Sequence, residues 1–231
     1  MVLQAGGEGR RIRCIDANTP KPMLSVGGIP LIERLVLQLA SAGLREFTVV
    51  TGFGGGVIQG HVRSLIKSLP RGVNILFYPE PHAMGNSGAL AEIADSQSTV
   101  LLVFSDLFTE IDFARLIEIH RERQDDVTLA SHYEDHRLAL GELTAVGDIV
   151  SKYDEKPIKR YLICSGIAVL GPNVLQAAKK LPIPFGLSDL IQFAINASYQ
   201  VSHWTHGSTW IDVNTPKALQ EARALADNKC A

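Results

Sequence analysis

The stretch LQAGGEGRRIRCIDANTPKPMLS (residues 3–25) runs from a short apolar strand, Met1–Gln4, into Gly6, Gly7 and Gly9, and then adds Arg10, Arg11, Arg13 and Lys21. Glycines let a backbone turn sharply and approach a ligand, and guanidinium and ammonium groups seek anionic oxygens. A strand that empties into such a loop reads as a phosphate site, with backbone N–H groups facing the anion and the basic side chains neutralising what the dipoles cannot. A surface turn with solvated arginines would leave the same letters, so the rest of the chain must arbitrate. Two common phosphate loops are excluded. No GxxxxGK[ST] occurs, and Gly7-x-Gly9 is followed by Ile12 where a dinucleotide fingerprint takes Gly or Ala.

Outward from this loop, the apolar runs 47–52, 73–78 and 99–106, each bounded by turn residues, predict strands buried on both faces. Between them residues 29–43, 57–69 and 111–123 carry helical periodicity, the first with Pro30 near its start and Gly43 at its end. Leu35, Leu39, Leu65 and Ile117 fall on the faces that pack against a sheet. Alternation of strand and helix implies parallel crossovers. After residue 126 the strands come closer together, at 127–133, 141–146, 149–156 and 161–170, before helices return at 172–180 and 186–197. This second half predicts a mixed extension of the sheet that covers a substrate.

The 231 residues, 46% hydrophobic and 20% charged, suit one domain with one sizeable core. A formal net charge of -2 with no long basic run argues against nucleic acid or an anionic membrane as partner. The three cysteines, Cys14, Cys164 and Cys230, form no CxxC pair, which speaks against a disulfide framework or thiolate cluster and for a reducing cytoplasm. No apolar run reaches the ~18 residues of a membrane span, and Met1 leads into a strand without a signal peptide, so an unexported protein is expected. The opening strand is short enough to suggest a trimmed start. No hexapeptide repeat occurs, so acetyl transfer and a trimer-forming β-helix domain are not expected.

GGEGRRI (6–12) with TPKPMLSVGGIPLIE (19–33) resembles the signature of the sugar-1-phosphate nucleotidylyltransferases, GGxGTRL followed by PKPMLPVGGKPLIE. In family order, MGNSGALAEI (84–93) is similar to the family's LGTAGAL loop, FSDLFTEIDF (104–113) to NGDxLTDxDF, YDEKP (153–157) to FxEKP, SGIAVL (165–170) to AGIYVL, and WIDVNTPKAL (210–219) to WxDIGTPxxL. The resemblance covers nearly the whole chain and is nearest to the single-domain mannose/heptose-1-phosphate guanylyltransferase type. It implies an α/β, Rossmann-like three-layer nucleotidyltransferase fold with a mostly parallel mixed central sheet. A nucleotide-binding half, about 1–126, would precede a sugar-phosphate-binding half, about 127–231. The implied reaction is Mg²⁺-dependent transfer of NMP from an NTP to a sugar 1-phosphate, forming an NDP-sugar and releasing pyrophosphate. The partners are then these two small molecules, and the oligomeric state is left open.

Such a reaction needs two anions positioned and developing charge offset. By the resemblance, Ala5, Gly6, Gly7, Gly9, Gly85 and Asn86 line the nucleotide site, Arg11 holds the triphosphate and Lys21 stabilises the α-phosphate and the leaving group. Arg10 stands where the family usually has Thr, and Ser105 where it usually has Gly. Asp106 and Asp212 match the family's two metal-binding aspartates. Magnesium takes oxygen ligands and keeps several waters, so two carboxylates and phosphate oxygens suffice. Gly141, Glu155, Lys156 and Gly166 fall on acceptor-binding positions, although Cys164, Ser165 and Gly166 replace the frequent Asn-Ala-Gly. Glu80 stands where pyrimidine-using members often carry Gln. An ionised Glu offers only acceptors and so suits the adjacent N1–H and N2 amino group of guanine, which makes GTP the expected donor and UTP or dTTP the runner-up.

Competing readings are a glycosyltransferase, disfavoured because FSDLFTE holds no Asp-x-Asp pair, and a non-catalytic nucleotide-sugar-binding homologue, disfavoured because Arg11, Lys21, Asp106 and Asp212 are all present. His132 with His136 and His203 with His206 have spacings that suggest metal, but zinc needs three or four converging ligands, so they are expected to be strand and loop residues.

Overall fold

The computed structural model describes residues 1–7, 9, 19–95 and 97–228. After β1 (Val2–Ala5) come a 3-10 turn (Lys21–Met23), the hairpin of β2 (Ser25–Val26) and β3 (Ile29–Pro30), and helix α1 (Leu31–Ser41). β4 (Glu46–Thr51), α2 (Gly55–Leu65), β5 (Asn74–Pro79), the short α3 (Leu90–Ile93), β6 (Val100–Phe104), β7 (Leu107–Thr109) and α4 (Phe113–Arg123) follow. The remainder is β8 (Val127–Arg137), β9 (Glu142–Val146), β10 (Ile149–Asp154), β11 (Ile158–Leu170), α5 (Pro172–Ala178), α6 (Leu187–Asn196), β12 (Val201–Thr205), β13 (Trp210–Asp212) and α7 (Pro216–Asp227).

Seven strands form one sheet in the order β12-β8-β11-β6-β1-β4-β5. β1 lies parallel to both β4 and β6, and only β11 runs antiparallel to its neighbours β6 and β8. This is the mostly parallel mixed sheet that the alternating pattern implied. Four residues suffice for β1 because it sits in the middle of the sheet, where adjacent side chains point to opposite faces. Leu3 packs with Leu35, Phe113 and Leu116 on one side, and Val2 packs with Leu90, Leu175 and Leu190 on the other. Helices therefore cover both faces, giving three layers. Leu35 and Leu39 are buried, each contributing roughly 1.5–3 kcal/mol of transfer free energy, and Leu35→Ala would cost about 2–5 kcal/mol with its cavity. A third cluster, with Leu24, Phe108 and Leu219, seats α7 beside the β2–β3 hairpin.

Caps explain several boundaries. Asp112 Oδ1 accepts from Arg115 N at 2.9 Å to open α4, and Thr215 Oγ1 accepts from Ala218 N at 3.1 Å to open α7, with Pro216 in its first turn. The predicted helix 57–69 tightens into a 3-10 turn at Ile66–Ser68, because Pro70 pushes Leu69 to an extended conformation. The predicted strand 99–106 stops at Phe104: Ser105 donates through both N and Oγ to the Gln4 carbonyl, at 3.0 and 2.8 Å, and the chain turns into β7. Beyond the sheet, the paired ends of β8 and β11 continue as a two-stranded ribbon, Ser131–Arg137 against Ile158–Cys164, and β9 with β10 makes a separate hairpin between them. Among the described residues no helix is long and apolar enough to cross a membrane.

Candidate active site

A cavity of about 770 Å³ opens at the carboxyl ends of β1 and β6, where parallel α/β sheets place ligands. Ala5 at the end of β1 and Gly6, Gly7 and Gly9 after it line the cavity, with Gln4 also in its lining. The glycine at position 6 has a steric cause. A Cβ there would stand 2.1 Å from Glu80 Oε2, so a side chain at this position would displace the Glu80 carboxylate from against the loop. Glu80 follows β5, its N donating to the Thr51 carbonyl at 2.8 Å, and its carboxylate receives Gln4 Nε2 at 3.5 Å. Burial pushes the Glu80 carboxyl above the ordinary range, with Gln4 and His82 opposing.

The loop at residues 84–88 forms the next wall through Met84, Gly85 and Asn86. Gly85 has φ +85°, and a Cβ on it would lie 2.2 Å from the Phe185 carbonyl oxygen. Phe185 N donates to Met84 O at 3.1 Å, Ser87 N to Phe185 O at 3.3 Å, and Leu187 N to Asn86 Oδ1 at 2.8 Å. The loop is thus bonded to the start of α6.

Lys21 enters from the 3-10 turn. Its ammonium donates to Asp106 Oδ2 at 2.5 Å and reaches Asp212 Oδ1 at 3.5 Å, and its side chain is only 11% exposed. Asp106 occupies the turn between β6 and β7, and Asp212 ends β13. The antiparallel pairing of β7 with β13 aligns Asp212 with Leu107, and Val213 N donates to Asp106 O at 3.0 Å. That small sheet brings together two acids distant in sequence. Burial and the neighbouring Asp106 charge raise the Asp212 carboxyl above its ordinary value, while Lys21 and Asn214 pull it down. Two carboxylates that repel each other, with only oxygen donors, suit a hard divalent cation whose remaining ligands are phosphate oxygens and water.

The opposite wall consists of Phe104, Cys164, Ser165, Gly166 and Trp210. Gly166 has φ +69° and faces the Phe104 ring, and Trp210 Nε1 donates to the Ser165 carbonyl at 2.8 Å. Behind the wall the Ser165 hydroxyl lies 2.8 Å from both His132 Nδ1 and His206 Nε2, and His132 Nε2 lies 3.1 Å from Glu134 Oε1. All four paired histidines thus have local partners, His203 Nδ1 lying 2.9 Å from Ser131 Oγ and His136 Nε2 2.8 Å from Glu134 Oε2. Among the described residues no three His, Cys, Asp or Glu side chains form a metal cluster.

Of the residues expected from sequence, Ala5, Gly6, Gly7, Gly9, Lys21 and Glu80 line this one cavity, and so do Gly85, Asn86, Asp106, Gly166 and Asp212. Arg10 and Arg11 lie outside the described residues. Gly141, Glu155 and Lys156 do not line the cavity. Gly141 was expected at an acceptor-binding position, but the neighbour that excludes a side chain there is Tyr153: a Cβ would fall 2.3 Å from its hydroxyl. Glu155 instead accepts from Tyr153 at 2.5 Å, and Lys156, in the turn before β11 with φ +48°, reaches Glu155 at 3.9 Å. Gln4 and Trp210 were missed as wall residues. Gln4 is a polar residue inside a fully buried strand, and Trp210 opens the WID motif, which are the signals that could have found them.

A glycine loop at the carboxyl ends of parallel strands thus faces, across one cavity of a three-layer α/β protein, a lysine held between two aspartates. The chain belongs to the nucleotidyl transferase family, whose sequence profile matches residues 1–229. It is 25% identical over 229 residues to the mannose-1-phosphate guanylyltransferase of Mycobacterium tuberculosis, covering 94% of this chain and 61% of that protein. The chain spans less than two thirds of the length of three curated relatives it matches, at 61%, 63% and 65%. Its fold is that of HddC from Yersinia pseudotuberculosis, with TM-score 0.71, 23% identity and 97% of each chain covered; HddC has also been solved with GMP-PN. A putative glucose-1-phosphate thymidylyltransferase from Bacillus anthracis superposes with TM-score 0.74, 21% identity, and 97% of this chain and 94% of that one covered.

Proposed function

We propose that the chain transfers NMP from an NTP, GTP in preference, to a sugar 1-phosphate, releasing pyrophosphate. The observation that carries this reading is Lys21 held between Asp106 and Asp212 at the mouth of the glycine loop, in one cavity. A phosphate oxygen of the acceptor attacks the α-phosphorus in line; a new P–O bond forms as the bond to the β-phosphate breaks, and the electron pair leaves on pyrophosphate. Gly6, Gly7 and Gly9 line the cavity where backbone N–H groups would meet the triphosphate, joined by Arg11 on the strength of the resemblance. The Lys21 ammonium stands where it can offset charge on the α-phosphate and the leaving oxygen. Mg²⁺, held by Asp106 and Asp212, would neutralise phosphate charge and polarise the α-phosphoryl group.

Glu80 carries the base assignment. Its carboxylate reaches the cavity against the glycine loop, where it can accept from guanine N1–H and the N2 amino group. The guanylyltransferase names of the curated relatives and the GMP-PN complex of HddC support the same choice. The acceptor belongs on the wall of Cys164 to Gly166 and Trp210. The widely separated cysteines favour a cytoplasmic setting. Pyrophosphate release with each NTP, Mg²⁺ and a panel of sugar 1-phosphates tests the reading. Release with GTP and at least one sugar 1-phosphate is expected; release with UTP or dTTP in preference would overturn the base assignment, and none with any pair would leave a nucleotide-sugar-binding protein.

A further inference from the structure

The wall proposed for the acceptor is a break in the sheet. β11 pairs with β8 at Cys164 with Ser131 and next at Ala168 with Leu129, so Ser165, Gly166 and Ile167 stand against the single residue Ala130. Such a bulge takes backbone groups out of the ladder and re-aims them, and bulges recur beside active sites. Cys164, Ser165 and Gly166 of this one line the cavity. Irregular backbone keeps a single shape only where other contacts fix it. Gly166 supplies a left-handed turn, at φ +69°, and Trp210 Nε1 donates to the Ser165 carbonyl at 2.8 Å. The side chain of Ser165, a fully buried residue, is gripped from two sides: its hydroxyl lies 2.8 Å from His132 Nδ1 on β8 and 2.8 Å from His206 Nε2, directly after β12.

With both rings neutral, one arrangement of protons satisfies these contacts. Glu134 Oε1 lies 3.1 Å from His132 Nε2 and Glu134 Oε2 lies 2.8 Å from His136 Nε2, and an ionised carboxylate only accepts. His132 Nε2 therefore carries the proton, and Nδ1 of that ring accepts from the Ser165 hydroxyl. The Ser165 oxygen in turn accepts from His206 Nε2–H, which leaves His206 Nδ1 bare. That is the atom buried with no hydrogen-bond partner among the described residues. Burial, then the neighbouring His132, hold the His206 imidazole below its ordinary range and so favour the neutral ring, against an upward pull from the Ser208 backbone. The ring of His132 also packs on Trp210, with centroids 4.4 Å apart, so the residue that holds the Ser165 carbonyl and the residue that holds its hydroxyl brace each other.

We infer that His132 and His206 are positioning residues: by gripping the Ser165 hydroxyl between them, they fix the bulge against which a sugar 1-phosphate binds. This rests on the proposed function for the identity of the ligand, and on the geometry alone for the clamp. Pyrophosphate release, with the sugar 1-phosphate that the parent uses fastest, compares the parent with His206→Leu and with His206→Gln, whose amide nitrogen can replace Nε2–H as donor to Ser165. His206→Leu should raise the KM for the sugar 1-phosphate about tenfold or more and leave the KM for the nucleotide within about twofold, because the hydrogen bond it removes belongs to the acceptor wall alone. His206→Gln should bring the acceptor KM back to within about threefold of the parent. Should the leucine variant fail to fold, Ser165→Ala removes the shared hydroxyl with both rings in place and should give the same selective rise. Nitrogen-15 NMR of the parent needs no turnover: at pH ~7.5 both rings should be neutral with the proton on Nε2. Equal rises in the two KM values, a glutamine variant no better than leucine, or a proton on His206 Nδ1 in place of Nε2 would each overturn the inference. No turnover by the parent with any pair would fail the proposed function and the acceptor role with it, while the NMR spectrum still decides the clamp.

Discussion

Replacing Lys21 by Met keeps the length of the side chain and removes a positive charge that both site aspartates share. The ammonium is 2.5 Å from Asp106 and 3.5 Å from Asp212, and its side chain is 11% exposed against 29% and 37% for the two acids. A fully buried pair broken on one side loses about 3–5 kcal/mol, but these carboxylates are partly solvated, which reduces the expected loss to about 1–2 kcal/mol. For a chain of this size that is a Tm lower by about 2–8 °C. The pH dependence has a definite sign. The Asp212 carboxyl is already raised, by burial and by Asp106, and Lys21 opposes the rise. A group raised in this way favours the fold below its unfolded value and forfeits that contribution as pH rises through its folded value. Without Lys21 the folded value rises further, so Lys21→Met should lower Tm more at pH ~7 than at pH ~4, where the raised Asp212 carboxyl approaches neutrality. Turnover, followed by pyrophosphate release, should fall about 10²–10³-fold, the usual effect of removing one group aimed at developing charge. A folded variant within about threefold of the parent, or an equal Tm loss at both pH values, would refute this account of Lys21.

Glu80→Gln should lower the preference for GTP over UTP by about 10–100-fold, because Gln presents a donor where guanine already has two; competition between the two nucleotides measures it, and an unchanged ratio would detach Glu80 from the base. Chelation with EDTA should abolish turnover, and Mg²⁺ affinity by calorimetry should decline with falling pH before the ordinary carboxylate range near ~4 is reached, since Asp212 must be ionised to ligate. Gly54 has φ +69°, and a Cβ there would lie 2.1 Å from Pro20 Cγ, next to Lys21. Gly54→Ala should therefore lower stability by about 1–3 kcal/mol and turnover with it, whereas Gly56→Ala, in α2 with nothing within 4 Å, should raise stability by about 0.5–1 kcal/mol. Thermal melts of the pair separate a displaced Lys21 turn from a general effect of adding a methyl group.

The layered fold was legible because its strands are short apolar runs buried on both faces and its helices keep their period. Asp106 and Asp212 were legible as a pair only through their motifs; nothing local to either residue reveals that β7 and β13 zip together. β12 was not singled out: VSHWT alternates polar and apolar residues beside two histidines, and its strand identity comes from parallel pairing with β8. Glycines carried less than they promised. Gly6 and Gly85 do mark close approach at the cavity, but Gly141 makes room for Tyr153 within the chain, and an alignment of letters cannot distinguish a ligand from a side chain as the neighbour that excludes a Cβ. The Ser165 contacts with His132 and His206 were hidden for a similar reason, since they join β8, β11 and the end of β12 across the sheet.

The bonding of the loop at residues 84–88 to residues 185–187 limits how this chain can be recombined. A division near residue 126 looks like a natural seam between a nucleotide half and an acceptor half, and grafting the second half of a relative onto the first would look like a simple route to a new acceptor. The seam is crossed where it matters: Gly85 has its shape because of the Phe185 carbonyl, and Asn86 is held by Leu187 N at 2.8 Å. A chimaera joined at that point would import a foreign backbone beneath the wall proposed for the base and disturb the proposed donor site while aiming to change only the acceptor. Under the proposed function, change of acceptor is better sought by single substitutions at Cys164, Ser165 or Trp210, which leave that stitch intact.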